Sequence, residues 1–160
     1  MTASLIGCTR KHGDWPQDVR VRSATGATDL VRAAKGSPVL LVLFAGWCDD
    51  CRREMPEVAR TVRLHRGSEL QTVAVTLDED PAAYRRIAAD ADLGVDPVRL
   101  EPLDDDELVA AVRSLGGHYH HSIPYVAVFD ASGTLVRDRW AEGRRAEDIS
   151  QTVANVLEAK

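Results

Sequence analysis

Apolar residues recur along this chain with two different periods, and the change between them falls at Cys48. Pro38 to Gly46 reads PVLLVLFAG, a continuous apolar run too short for a helix and bounded by Pro and Gly, which predicts a strand buried on both faces. From Cys48 to about Arg66 the spacing becomes helical, with Met55, Val58, Ala59 and Val62 three or four apart, and Pro56 predicts a kink inside that helix. Upstream, DVRVRS alternates as a short strand. ATDLVRAAKG then carries Leu30, Ala33 and Ala34 on a helical face, with Thr25 or Thr28 as cap and Gly36 as stop. Downstream, ELQTVAVTLDED predicts a second buried strand with Val73, Val75 and Leu77 on one face, and Pro81 opens a helix over PAAYRRIAADADL. An irregular connection leads to a helix whose start is capped by the aspartates at 104 to 106. PYVAVFDASGTLVRDRW reads as a hairpin around an ASG turn, and a last amphipathic helix runs from about Ala146 to Leu157.

The resulting order, β-α-β-α-β-α-α-β-β-α, predicts an α/β architecture. Its mixed central β-sheet is flanked by helices, parallel where helical crossovers intervene and antiparallel in the last hairpin. Residues 1–17 are polar and end in a turn, so they form an N-terminal extension, and 18–160 make one domain. With 160 residues, the chain is long enough to build a core without disulfide staples. A net charge of -5 with no basic stripe argues against a nucleic-acid partner. No apolar run reaches the length of an integral membrane segment.

Three cysteines, Cys8, Cys48 and Cys51, are too few for a disulfide scaffold. Cys48 and Cys51 are separated by two residues, which points to redox chemistry or to a metal. The stretches PVLLVLFAGWCDDCRREMP and SIPYVAVFDASGTLV together resemble the thioredoxin superfamily, and most nearly the TlpA/ResA-type thiol-disulfide oxidoreductases. Trp47, Cys48, Cys51, Glu54, Met55 and Pro56 match that family's Trp-Cys-x-x-Cys-x-x-Glu-Met/Phe-Pro motif, and Pro124, after Ile123, stands where the superfamily has its cis-proline. The resemblance implies a thioredoxin fold over roughly residues 20–158 and reduction of protein disulfides by the Cys48–Cys51 pair without a cofactor. Two departures are visible: Asp49 and Asp50 replace the usual Gly-Pro or Pro-Pro, and Val42 stands where many thioredoxins bury an acid.

Disulfide exchange needs a reachable thiolate. Cys48, at the start of a helix, meets free backbone N–H groups and the positive end of the dipole, so it is the expected nucleophile, and Cys51, one turn in, the resolving thiol. Asp49 and Asp50 oppose the thiolate. At about 5 to 7 Å and an effective dielectric of about 40 to 80, each costs roughly 0.6 to 1.7 kcal/mol. That tuning, with Trp47 beside it, predicts a reductase-like pair, nearer about -270 mV than about -120 mV. The alternative for the aspartates is that they face solvent and only start the helix. Glu54 is the candidate proton relay. Trp47, Ile123 and Pro124 are the expected substrate contacts.

A competing expectation comes from GGHYHHSIP. His118, His120 and His121 precede Pro124, and the resemblance implies that this loop abuts the cysteine pair, which makes Cys48, Cys51, His120 and His121 an alternative zinc or copper set. A non-catalytic interaction domain is the third class, opposed by the intact cysteines, Trp47 and Pro124. The expected partners are disulfide-containing proteins and a thiol reductase that returns electrons, with the chain a monomer. The visible sequence lacks a secretory signal and reads as cytoplasmic. LIGC, residues 5–8, has the form of a lipoprotein cleavage box and keeps open an extracytoplasmic, lipid-anchored alternative at Cys8.

Overall fold

The computed structural model describes residues 14–138 and 147–159. Eleven elements follow one another: β1 (Arg20–Arg22), α1 (Ala24–Ala33), β2 (Val39–Phe44), α2 (Asp49–Leu64), β3 (Gln71–Thr76), α3 (Pro81–Asp90), β4 (Val98–Leu100), α4 (Asp105–Arg113), β5 (Tyr125–Phe129), β6 (Leu135–Asp138) and α5 (Glu147–Glu158). Cys8 and Ala146 lie outside the described residues.

The six strands form one sheet in the order β1-β4-β3-β2-β5-β6. β1, β4, β3 and β2 are parallel, whereas β5 is antiparallel to both β2 and β6. The apolar run at Val39–Phe44 becomes β2, buried at every position because β3 and β5 flank it and helices cover it. α1 packs against α4, and α2 against α3 and α5. The core gathers Leu40, Leu41 and Leu43 of β2, Met55 and Val58 of α2, Ile87 of α3, Leu108 of α4 and Phe129 of β5, each at most 1% exposed.

Two details differ from the sequence pattern, and a third agrees with it. β4 is a strand where an irregular connection was expected; Val98 and Leu100 are buried between β1 and β3, and only that pairing makes three residues a strand. α1 starts at Ala24 and is capped by Ser23, whose hydroxyl accepts the Gly26 N–H at 3.0 Å. Thr25 and Thr28 lie inside the helix, and the buried Thr28 hydroxyl donates to the Thr25 carbonyl. β3 is buried on both faces from Val73 to Thr76, with its end leading toward the cysteines.

Of the N-terminal arm, Trp15 packs on Tyr84 with ring centroids 5.6 Å apart and carries the Arg99 guanidinium 5.2 Å above its ring. Among the described residues no helix is long and apolar enough to cross a membrane.

Candidate active site

β2 ends at Phe44, and the chain turns through Ala45, Gly46 and Trp47 into α2. Cys48 is itself the N-cap of that helix: its backbone is extended and its sulfur accepts the Cys51 N–H at 3.1 Å. A helix start leaves such N–H groups without an internal partner, so a sulfur placed there takes up one of them. On its other side the Cys48 thiol donates to the Ile123 carbonyl at 3.5 Å. Ile123 and Pro124 are joined by a cis peptide and lead directly into β5, the antiparallel neighbour of β2. Sheet pairing therefore brings residues 48 and 123 together.

The two sulfurs differ in access. Cys48 is 9% exposed and Cys51 0%. Burial, first, and the contact with Cys48, second, push the Cys51 thiol well above its ordinary range; a backbone hydrogen bond from Ala45 offsets this only in part, and the charge of Glu54 adds to it. Glu54 is half-buried in α2. Its carboxyl is raised by burial and then by Asp50, with Arg53 opposing. Trp47 stands out into solvent at 60% exposure, next to Cys48 in the chain.

Asp49 and Asp50 both face solvent, and each pairs with an arginine one turn on, Arg52 and Arg53 respectively. Their charges are thus met locally in a high-dielectric setting, where they weigh less on Cys48 than two bare carboxylates would.

The histidines point to carboxylates rather than to the sulfurs. His118 binds Asp138 through both its backbone N–H, at 2.7 Å, and its ring Nδ1, at 3.2 Å. His121, at φ 58°, pairs with Asp105 at the start of α4, and its ring is raised in pKa by that bond and by the charge behind it. His120 is exposed. Among the described residues no three His, Cys, Asp or Glu side chains gather in a way that could hold a metal ion, so Cys48, Cys51, His120 and His121 do not form the alternative set.

Two residues near the cysteines carried no signal in the sequence pattern. Tyr119, 3% exposed, lies between the histidines, donates to Asp105 at 2.9 Å and stacks edge-on to Tyr125. Asp78 follows β3 at 4% exposure and accepts the Gly46 N–H on both carboxylate oxygens, at 3.0 and 2.9 Å. Val42 is fully buried within β2, as an apolar residue there requires.

Comparison with known proteins agrees with this geometry. The family model described as Redoxin matches residues 11–155. The thioredoxin-like protein YneN of Bacillus subtilis (strain 168) is 29% identical over 82 residues, which are 51% of this chain and 48% of YneN, so the chain spans about half the length of that relative. Among solved structures, a thiol:disulfide interchange protein of the thioredoxin family from Chlorobium tepidum TLS superposes with a TM-score of 0.60 at 24% identity, covering 79% of this chain and 83% of that one. A secreted Mycobacterium tuberculosis disulfide oxidoreductase homologous to E. coli DsbE gives 0.61 at 17% identity, over 78% and 85%. These likenesses carry the fold, and the family model carries the kinship. The mixed sheet is a thioredoxin fold, and the chain belongs to the redoxin family.

Proposed function

We propose that the chain is a thiol-disulfide oxidoreductase that reduces disulfides in other proteins. The observation that carries this reading is the asymmetry of the pair: one sulfur caps a helix and keeps 9% exposure, and the other is fully buried one turn behind it. In the proposed cycle the Cys48 thiolate attacks one sulfur of a client disulfide, that S–S bond breaks, and the departing client sulfur takes up a proton. Cys51 then gives up its proton and attacks the Cys48 sulfur of the mixed disulfide, releasing the second client sulfur. Two electrons pass from the dithiol to the client, and a partner thiol reductase restores them.

The second step has the greater demand, because burial holds the proton on Cys51. Glu54 is the group we assign to receive it. Its charge already acts on Cys51, and its own raised pKa brings it nearer to a thiol in proton affinity than an open carboxylate would be. Trp47, Ile123 and Pro124 would border an extended client segment beside Cys48. The reducing direction is supported by Cys51, whose surroundings favour the thiol over the thiolate. Pairs of this kind keep their disulfide less readily reducible than those whose thiolate is stabilised.

Equilibration in defined thiol buffers at neutral pH, with chelator, is expected to give a potential at or below about -250 mV, unchanged when zinc or Cu(I) replaces the chelator. A value near about -120 mV would reverse the direction, and a pair that metal protects from oxidation would replace the reading with a metal site. With Cys51→Ala the first step should proceed and the second should not. Incubation with an oxidised client is expected to leave a mixed disulfide at Cys48, visible on a non-reducing gel and released by dithiothreitol. No covalent species would mean that Cys48 is not the attacking sulfur.

A further inference from the structure

Asp78 takes no part in the cycle above, yet it is a carboxylate buried to 4% exposure. Such a group is costly unless its oxygens are bonded, so its partners report what holds it there. They are the Gly46 N–H, shared by both oxygens, and the Thr76 hydroxyl at 2.7 Å, while the backbone of Trp47 also favours the charged carboxylate. Gly46 and Trp47 are the two residues immediately before Cys48. From the opposite side the same turn rests on α3: a Cβ on Gly46 would lie 1.8 Å from the Ala83 carbonyl oxygen. The turn is gripped between a carboxylate and a helix backbone.

We propose that Asp78 is a positioning residue for Cys48: its carboxylate anchors the Gly46–Trp47 turn and so holds the sulfur at the helix start beside the Ile123 carbonyl. The other titratable groups within reach of this charge are Asp80 and Tyr84 on the α3 side. Burial raises the Asp78 carboxyl, while the bonds from Gly46, Thr76 and Trp47 draw it back. The turn is therefore held by a group whose charge depends on those same bonds. The role in turnover rests on the function proposed above; the role in placing the sulfur does not.

Asp78→Asn keeps the size and replaces one acceptor oxygen by a donor. Iodoacetamide alkylation of reduced protein, followed at Cys48 by peptide mass, is expected to shift its pH midpoint by half a unit or more. The redox equilibrium with glutathione should move threefold or more, with the circular dichroism spectrum retained. A merely structural role would lower the melting temperature and leave both readouts at their wild-type values, which would overturn the proposal. Should the variant not fold, the wild-type chain labelled with 13C at its aspartate carboxyls answers the question. The Asp78 resonance is expected to titrate at different pH in the dithiol and disulfide forms, and identical titrations would overturn the proposal. Alkylation needs no turnover, so a wild-type chain that reduces no disulfide would sink the proposed function and leave this test intact.

Discussion

Cys48→Ser is expected to abolish disulfide reduction, leaving insulin reduction driven by dithiothreitol at the rate of the protein-free blank. A serine hydroxyl does not ionise near neutral pH and cannot enter a disulfide, so neither the attack nor the mixed disulfide survives. Cys51 offers no detour, because its sulfur is 0% exposed and its proton is held by burial. The fold should be untouched. Position 48 is the N-cap of α2, and serine is among the preferred residues there, so the melting temperature is expected to stay level or rise slightly. Loss of activity with an intact melt separates chemistry from folding. Measurable turnover by the serine variant would show that the buried sulfur can attack, and the assignment of roles would fall.

Gly46→Ala should have the largest effect on the fold of any single methyl group at the site. Gly46 does not adopt the left-handed conformation that favours glycine; it is constrained by what lies against it. A Cβ would stand 1.8 Å from the Ala83 oxygen, 2.4 Å from its carbonyl carbon and 3.2 Å from the Tyr84 nitrogen. All three are backbone atoms of α3, so no side chain can rotate aside. Overpacking costs about 1–3 kcal/mol in ordinary cores, and a clash with helix backbone belongs at or above the upper end. For a chain of this size that corresponds to a fall in melting temperature of about 6 to 12 °C. The turn must also move off α3, which pulls the Gly46 N–H from Asp78 and displaces Cys48 from the helix start. Slower alkylation of Cys48 should accompany the lower melt. A melt within about 2 °C of wild type would show that the turn has room the geometry denies it.

Much of the architecture was legible because it rests on long or strongly patterned segments. PVLLVLFAG read as a buried strand by its length and its Pro and Gly bounds, and the helical spacing after Cys48 placed both sulfurs on the first turn of α2. The hairpin announced itself through its turn. β4 was not legible: Val98–Leu100 is three residues inside a stretch with prolines and charges, too short to show a period, and it exists by pairing with β1 and β3. Asp78 was hidden for a related reason. In sequence it is one of three acids in LDED, the polar end of a strand, and its buried carboxylate is met by the N–H of Gly46, 32 residues away. No spacing rule connects positions 46 and 78. Asp49 and Asp50 were visible as charges, but the arginines that answer them one turn later change their weight on the sulfur. The histidines were visible as potential ligands; what the pattern could not show was that Asp105 and Asp138 claim two of them.

The central strand takes its neighbours from very different distances along the chain: Val39 faces Gln71 on one side and Phe129 on the other. During synthesis the thiols of α2 therefore emerge well before the carbonyl that will face Cys48, which lies 75 residues later. At about 5–20 residues/s, that interval lasts roughly 4 to 15 s. Throughout it, the growing polypeptide presents an apolar strand with one edge unpaired and two thiols not yet told apart by burial. Its vulnerability to oxidation and to mispairing is greatest before Cys51 is buried and the Ile123 carbonyl has reached Cys48.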